Sequence, residues 1–200
     1  MSDLILPKDP PPLRMYDAYT DRIIGYNELL LGCGNSRAKR IKHGDVPHVW
    51  QNLTTLDVDP DCKPDVVHDF AQKVPLPFPD SHFEEIHSYE CLEHCGQQGD
   101  FRLFFHQFGE LWRVLRPDGL LVLTVPKMDS PWAFADPGHT RVLPLESFFL
   151  LSRKLYENEV GKTSLTDYRS ILKCDFEILT YNDQYSDSLG VILKALKGDK

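Results

Sequence analysis

The stretch 29–34 constrains the fold of this chain more than any other. It reads Leu-Leu-Leu-Gly-Cys-Gly, three leucines followed by two glycines one residue apart. An apolar run that ends in glycine is typical of a buried strand followed by a tight turn. Glycine is favoured there when the turn needs a positive φ or when another group approaches the main chain closely. We therefore expect a central strand whose carboxyl end lies against a neighbouring group or a ligand.

Length and charge narrow the possible functions. Two hundred residues with a net charge of −8 are enough for one domain, residues 1–200, with a sizeable core. The negative charge disfavours a broad phosphate-binding face, so a small molecule or a peptide is favoured as partner over nucleic acid. No apolar run approaches the roughly 18 residues that span a bilayer. A membrane-embedded protein is therefore not expected, and the sequence carries no signal of oligomeric state.

The cysteines indicate the cellular compartment of the protein and raise the question of metal binding. Five scattered cysteines, and an N-terminus without a charged-then-apolar signal pattern, predict reduced thiols in a cytoplasm. Cys91 and Cys95, with His87 and His94 nearby, invite a zinc interpretation. A structural zinc site usually shows a second ligand pair at similar spacing, and no second pair follows here. We predict no metal and assign these thiols to the core or to the wall of a pocket.

The segments that flank the first strand lack strong patterns. Residues 1–15 contain three consecutive prolines, which predicts an extended N-terminal arm rather than a helix or a central strand. Residues 16–26 fit a short helix. Residues 36–48 are rich in Lys and Arg with little apolar periodicity, so they predict a solvated basic turn or a short helix.

Acidic residues follow three further predicted strands. Residues 53–58 form a β-branched strand ending on Asp57, about 20 to 25 positions after the glycines, where a carboxylate can accept from both hydroxyls of a ribose. Residues 64–70 predict a short strand ending at Asp69, and the adjacent Phe70 offers a ring for an adenine. The strand at 83–89 leads to Glu90. A nucleotide-like cofactor is therefore expected at this edge of the sheet.

The remaining elements alternate between strand and helix. Apolar residues at helical spacing predict a helix over 100–115, capped by Asp100, followed by a turn at 116–119 and a central strand at 120–125. This order predicts a parallel sheet with right-handed crossovers. Residues 145–160 and 167–173 predict two more helices. The strands at 176–181 and 191–196, joined through a polar turn region at 182–184, predict a closing antiparallel hairpin.

A long irregular segment interrupts the alternation at residues 127–143. Loops of this length inside a compact domain are usually functional. The segment contains Trp132, Asp136, His139 and Arg141, residue types that suit a substrate lid. The competing interpretation is a lid-anchoring salt-bridge or hydrogen-bond network for His139 and Arg141, and a residue that orders the loop for His94. We hypothesise that His94, His139 and Asp136 surround the acceptor and that one histidine takes a proton.

Several motifs together resemble those of class I S-adenosylmethionine-dependent methyltransferases. In chain order they are Leu-Leu-Leu-Gly-Cys-Gly-Asn-Ser, Leu-Asp-Val-Asp-Pro, Asp-Val-Val-His-Asp-Phe, Leu-Pro-Phe-Pro-Asp-Ser-His-Phe-Glu-Glu-Ile, Tyr-Glu-Cys-Leu-Glu-His and Leu-Trp-Arg-Val-Leu-Arg-Pro-Asp-Gly-Leu-Leu. The matches cover residues 27–126. The resemblance implies a doubly wound, mostly parallel, seven-stranded α/β sheet with a C-terminal antiparallel hairpin, the Rossmann-like methyltransferase fold. It also implies methyl transfer from S-adenosyl-L-methionine.

The resemblance assigns roles to individual residues of this cofactor site. Gly32 and Gly34, with the backbone of Cys33, would face the methionine portion. Asp57 would hold the ribose, Asp69 with Phe70 would address adenine, and Glu90 would lie near the sulfonium. Two departures concern the first motif, where Leu30 and Ser36 stand in places that the family often fills with an acid and a third glycine.

Two rival functions remain open at this point. A nicotinamide dehydrogenase shares the paired glycines and the strand-end acid, but Arg37 occupies the place of the third glycine in its Gly-x-Gly-x-x-Gly pattern. A non-catalytic binding or assembly module could keep the methyltransferase fold, because fold alone does not prove activity. The altered first motif is the main support for this second rival.

Overall fold

The computed structural model describes residues 23–44, 48–183 and 187–198. The predicted N-terminal arm lies outside the described residues, as does most of the predicted helix at 16–26, whose described end forms no helix. Part of the predicted turn at 182–184 also lies outside them. No helix in the described part of the chain is long and apolar enough to cross a membrane.

Seven strands form one mixed sheet in the order β3-β2-β1-β4-β5-β7-β6. The strands are β1 (Asn27–Leu31), β2 (Asn52–Asp57), β3 (Val66–Val67), β4 (Phe83–Tyr89), β5 (Leu115–Pro126), β6 (Phe176–Asn182) and β7 (Ser188–Ala195). The first five pair in parallel, and β7 runs antiparallel to both β5 and β6. The predicted fold class, including the closing hairpin, is confirmed.

The main core lies between one face of the sheet and helix α1 (Phe101–Val114). Alternation along β1 directs Leu29 and Leu31 to this face, where both are buried. On the helix, Phe105, Phe108 and Leu111 are almost completely buried. Burial of each such side chain stabilises the fold by roughly 1.5–3 kcal/mol. Asp100 caps α1 as predicted, because its side chain accepts from the amide of Leu103 at 3.0 Å.

Several local predictions need correction. The predicted helix at 145–160 is two helices, α3 (Leu145–Phe149) and α4 (Arg153–Glu159). The break frees the carbonyl of Leu151 to accept from the amide of Phe176 at the start of β6. Residues 167–173 form a turn rather than a helix, because the Asp167 carboxylate accepts from the Arg169 amide and competes with helical bonding.

Two further corrections concern strands. The predicted turn at 116–119 is an irregularity within β5, since Leu115 pairs with Phe83 while Leu120 already pairs with Glu85. The predicted strand at 64–70 shortens to Val66–Val67. Neither change moves the carboxyl ends of β1, β2 and β4, which set the position of the site.

A buried ion cluster covers the other face of the sheet, and Lys39, which belongs to it, is an exception within residues 36–48, most of whose described members are exposed as predicted. Lys39 is 9% exposed and its ammonium pairs with the carboxylates of Glu28 and Glu85, both almost completely buried. Glu85 also accepts from Tyr26 Oη at 2.8 Å and lies 2.9 Å from His87 Nε2. Burial alone would raise the pKa of Glu85, but His87 and Lys39 lower that pKa to about 2.

The segment that carries Lys39 replaces a crossover helix. Residues 32–44 and 48–51, which link β1 to β2, form no helix. Ile41 and Trp50 instead pack against Leu30 and Tyr89 on this face of the sheet. Leu30, which stands where the family often has an acid, is therefore a core residue of the second face. The ion cluster and this small apolar group together attach the irregular segment to the sheet.

Replacement of Lys39 by methionine should strongly destabilise the protein. The substitution keeps most of the side-chain volume but leaves two buried carboxylates without a cation, and loss of one partner of a buried ion pair costs about 3–5 kcal/mol. Urea denaturation should show this decrease in the free energy of unfolding. Lys42→Met, at an exposed position of the same segment, should change it by no more than about 0.5 kcal/mol. Equal effects of the two substitutions would contradict the proposed role of the cluster.

Candidate active site

The candidate site is a cavity of about 280 Å³ at the carboxyl ends of β1, β2 and β4. This is the edge of an open α/β sheet where ligands bind. Six of the seven predicted cofactor residues line the cavity: Gly32, Gly34, Asp57, Asp69, Phe70 and Glu90. The seventh, Cys33, lies on the other face of the sheet, packed with Leu30 and Tyr89. The backbone amide of Cys33 donates to the Leu56 carbonyl at 3.2 Å.

The two glycines of the first turn serve different purposes. Both have positive φ, +66° at Gly32 and +49° at Gly34. A Cβ atom at Gly32 would lie 2.2 Å from Sγ of Cys91, so the close approach anticipated from the sequence is that of a cysteine at the end of β4. A Cβ atom at Gly34 would meet nothing within 4 Å. Gly34 therefore leaves open space on the cavity side of the turn.

Two carboxylates shape the part of the cavity assigned to ribose and adenine. Asp57 Oδ2 accepts from the amide of Gly34 at 2.7 Å, which ties the end of β2 to the glycine turn. Asp69 accepts from the amide of Ala71 at 2.9 Å and closes a local turn. His68 also lines the cavity, and its buried Nε2 has no hydrogen-bond partner among the described residues.

Glu90 and two thiols form the wall at the end of β4. Glu90 adopts a left-handed conformation with φ of +49°, which is unusual for a residue other than glycine, and its Oε1 is buried without a hydrogen-bond partner in the described structure. Cys91 and Cys95 both line the cavity, with their sulfur atoms 3.9 Å apart. Both predicted places are observed, since Cys95 also belongs to the main core and Cys91 packs against that core.

The predicted catalytic histidines lie in contact at one end of the cavity. His94 belongs to a 3₁₀ turn, Leu92–His94, and lines the cavity. Its ring lies 4.6 Å from the ring of His139 in an edge-to-face arrangement. Nε2 of His139 is 3.8 Å from Asp136 Oδ2. The structure thus brings together His94, His139 and Asp136, which the sequence separates by up to 45 positions.

Backbone carbonyls fix the tautomers of both histidines. Nδ1 of His94 lies 3.0 Å from the carbonyl oxygen of Gly138, and Nδ1 of His139 lies 2.8 Å from that of Trp132. A carbonyl oxygen can only accept, so each Nδ1 carries the proton in the neutral ring. Each Nε2 therefore has a free lone pair, available to a proton or to a metal ion.

Glu93 is a site residue that the sequence analysis missed. It is 1% exposed, and burial raises the pKa of its carboxyl group to about 8, with the charge of Glu90 adding to the effect. Its Oε1 lies 3.9 Å from Nε2 of His139. The only available signal was its position next to His94, since burial of the carboxylate depends on the distant segment that folds over it.

Arg141 anchors the segment 127–143, which supports the network interpretation for this residue. The guanidinium is buried and donates from Nε to the Leu92 carbonyl and from an Nη atom to Gln107 Oε1. Gln107 in turn donates to the carbonyls of Phe70 and Cys95. A glutamine on the apolar face of α1 was a signal for this role, because buried polar side chains need partners.

A second cavity of about 430 Å³ lies on the outer side of the histidine pair. Met128, Phe134 and His139 are among its lining residues. Trp132, next to this cavity in the chain, is 60% exposed, and Phe134 is 71% exposed. The histidines therefore stand between a cavity with polar strand-end groups and a cavity with largely apolar walls.

Comparisons with known proteins agree with the geometry. Residues 29–123 match a family model described as a methyltransferase domain, whereas no curated protein matches the sequence. Among solved structures, the chain is similar to the N-methyltransferase NodS from Bradyrhizobium japonicum WM9 (16% identity, TM-score 0.52, 86% of this chain and 86% of that one). It is also similar to a SAM-dependent methyltransferase from Archaeoglobus fulgidus (15% identity, TM-score 0.50, 84% of this chain and 86% of that one). The [4+2]-cyclase SpnF shares the fold as well (16% identity, TM-score 0.54, 87% of this chain and 76% of that one).

The strand order and the cavity at the carboxyl edge define a Rossmann-like methyltransferase fold. The family match extends from β1 into β5 and includes the strand-end motifs that line the cavity. The resemblance to class I S-adenosylmethionine-dependent methyltransferases is confirmed, and this match implies S-adenosylmethionine as the cofactor.

Replacement of Gly32 by alanine should distort the site. The new Cβ atom would collide with the Cys91 side chain, and an L-residue with positive φ costs a further 1–2 kcal/mol or so. Gly25→Ala is the matched control, because Gly25 has φ of +73° and nothing within 4 Å of its Cβ position. Thermal denaturation should show a larger loss of stability for Gly32→Ala than for Gly25→Ala. Equal losses would mean that the contact with Cys91 is unimportant.

Proposed function

We propose that this chain is a methyltransferase that transfers a methyl group from S-adenosylmethionine to a small molecule or a protein side chain. The observation that carries the proposal is the position of the histidine pair. His94 lines the cavity that holds the family's cofactor motifs, while His139 lines the neighbouring apolar cavity. A donor and an acceptor bound in the two cavities would meet at these rings.

The residues of the first cavity fit the implied cofactor. Asp57 has a carboxylate at the end of β2 that can accept from ribose hydroxyls, and the open side of Gly34 leaves room beside it. The unpartnered Nε2 of His68 and Oε1 of Glu90 are buried polar atoms in residues that line the cavity and need a partner. Phe70 adds an apolar wall on the side assigned to adenine.

Methyl transfer makes modest chemical demands on the protein. S-adenosylmethionine supplies an electrophilic methyl group on a positively charged sulfur. The chain must align the acceptor with that methyl group, exclude water and provide a group that takes the acceptor proton where there is one. The free Nε2 atoms of His94 and His139 can take such a proton, and Asp136 lies close enough to stabilise the charged form of His139.

The second cavity indicates the class of acceptor. Met128 and Phe134 give it apolar walls, which suit an apolar or aromatic part of a small molecule or of a side chain. The polar group to be methylated would then point towards His139. The net charge of −8 is consistent with this choice over nucleic acid.

The segment 127–143 is proposed to cover the acceptor as a fixed wall. Thr140 and Arg141 donate their amides to the carbonyl of Glu93 at 3.1 and 3.3 Å, and the buried Arg141 side chain adds two further bonds. These contacts attach the base of the segment next to the histidines. Phe134, which lines the second cavity, and Trp132, two residues before it, are both exposed.

The dehydrogenase alternative is weakened further by the position of Arg37. Its guanidinium donates to the carbonyls of Gly34 and Cys62, so it bridges the glycine turn and the segment after β2. A glycine at this place in the dinucleotide motif serves close packing between helix and strand. Here no helix follows within residues 35–44, so the requirement does not arise.

Titration calorimetry with S-adenosylmethionine tests the cofactor half of the proposal. The wild-type chain should bind, and Asp57→Asn should weaken binding about 10-fold or more, since a buried charged hydrogen bond contributes about 1.5–3 kcal/mol. Asp61→Asn is the matched control, at an exposed position in the 3₁₀ turn that follows β2. Absence of binding by the wild-type chain at millimolar ligand would favour the non-catalytic module.

Label transfer tests the acceptor half. Protein supplied with methyl-labelled S-adenosylmethionine and a cell extract should place label in the small-molecule or protein fraction, and Asp57→Asn should transfer less. Label in the nucleic-acid fraction would show that the acceptor class is wrong. Cofactor binding without transfer to any fraction would again favour a binding module that retains the fold.

A further inference from the structure

The side chain of Glu93 is buried without a hydrogen-bond partner among the described residues, and the proposed methyl transfer assigns it no role. Glu93 is 1% exposed, and neither of its side-chain oxygens has a hydrogen-bond partner among the described residues. Its backbone carbonyl is satisfied by Thr140 and Arg141. Buried carboxylates in proteins are normally paired with a cation or bound to a metal ion. A charged Glu93 at this position would therefore need a positively charged group beside it.

The surrounding side chains are arranged as metal ligands are. One ligand atom each from Glu93, His94 and His139 lies within 4.8 Å of the others. Both histidines use Nδ1 for a backbone carbonyl, that of Gly138 for His94 and that of Trp132 for His139. Metal-binding histidines almost always make such a bond through the ring nitrogen that does not hold the metal. In this chain the bond from Nδ1 to a backbone carbonyl orients each ring and leaves Nε2 as the ligand atom.

The spacing between His139 and Glu93 fits one shared ion. Nε2 of His139 and Oε1 of Glu93 are 3.9 Å apart, too far for a hydrogen bond. Two ligands that each lie about 2.1 Å from an ion can be up to about 4.2 Å apart. We infer that Glu93, His94 and His139 form a binding site for a single divalent first-row transition-metal ion. Two imidazoles with one carboxylate suit such an ion better than magnesium or calcium.

A comparable group elsewhere in the chain shows what occupies such a position when no metal is needed. Glu28, Glu85 and His87 also cluster closely, but the ammonium of Lys39 lies among them and pairs with both carboxylates. Glu93 has no equivalent partner in the described residues. Its basic neighbour, Arg141, donates from Nε and Nη1 to Leu92 and Gln107, while its Nη2 is buried without a hydrogen-bond partner and forms no ion pair with Glu93 among the described residues.

Nearby acidic groups strengthen the attraction for a cation. Asp136 Oδ2 is 3.8 Å from Nε2 of His139, and Glu90 lines the same cavity as His94. Glu90 also has a buried oxygen without a hydrogen-bond partner. A divalent ion would compensate the negative charge that these side chains concentrate around Glu93.

An ion at this place would have a defined role in the reaction. It would lie between the two cavities, where an acceptor oxygen or nitrogen could bind it, lose its proton more readily and be held in line with the methyl group. His94 and His139 would then act as ligands and leave the proton to a base on the solvent side. This role rests on the proposed methyl transfer, whereas the metal site itself does not.

Cobalt binding by the full-length, untagged and chelator-treated protein tests the inference. Co²⁺ should bind with one ion per chain and give a ligand-field spectrum of nitrogen and oxygen ligands. Glu93→Gln and His139→Gln should each weaken binding by about 100-fold or more, since loss of even an outer-shell partner costs about 10–100-fold. His82→Gln is the matched control, because His82 lies at the opposite end of β4, and it should bind like the wild type.

Several outcomes would overturn the metal site. These are absence of Co²⁺ binding at millimolar concentration, unchanged affinity in folded Glu93→Gln, or a sulfur-to-cobalt charge-transfer band that assigns the ion to Cys91 and Cys95. Circular dichroism checks the fold of each variant, and His94→Gln provides a third test of the ligand set. Calorimetry with S-adenosylmethionine on the same samples separates the two proposals. Cofactor binding without Co²⁺ binding overturns only the metal site, and Co²⁺ binding without cofactor binding overturns only the methyltransferase.

Discussion

The close approach of β1 and β4 at Gly32 is the constraint on which the site depends. Because Gly32 has no side chain, Cys91 can lie directly against the first turn, and the end of β4 comes next to the end of β1. The chain then leaves β4 through the left-handed Glu90 and enters the 3₁₀ turn that carries Glu93 and His94. The shape of the cavity wall and the position of His94 both depend on this contact.

The sequence suffices to place several strand-end residues at one edge of the sheet, because topology does most of the positioning. In a parallel sheet, residues that end successive strands meet at one edge, so Asp57, Asp69 and Glu90 could be placed together without knowledge of side-chain contacts. The residues at the acceptor end could not all be identified without knowledge of contacts between distant parts of the chain. His94 and His139 were recognised by residue type, but the burial of Glu93 depends on Thr140 and Arg141, which lie 47 and 48 positions further along the chain.

Two of the failed predictions share a physical cause, which is pairing between residues distant in sequence. Lys39 looked solvated because its neighbours show no apolar periodicity, yet two buried carboxylates hold its ammonium. The helix predicted across 145–160 is interrupted at Leu151, whose carbonyl accepts from the amide of Phe176 at the start of β6. Local patterns report on the helix α1 and on the central strands, where burial follows the period of the element. They do not report on single polar side chains whose partners come from other elements.

The ion cluster also bears on the order in which the chain can fold. Its carboxylates belong to β1 and β4, and its ammonium belongs to the irregular segment between β1 and β2. The cation therefore gains both partners only after two strands separated by more than fifty residues have paired. Contacts with such large sequence separation form at a high entropic cost. The segment that carries the glycine turn therefore gains the ion pairs of Lys39 only after β1 and β4 have come together.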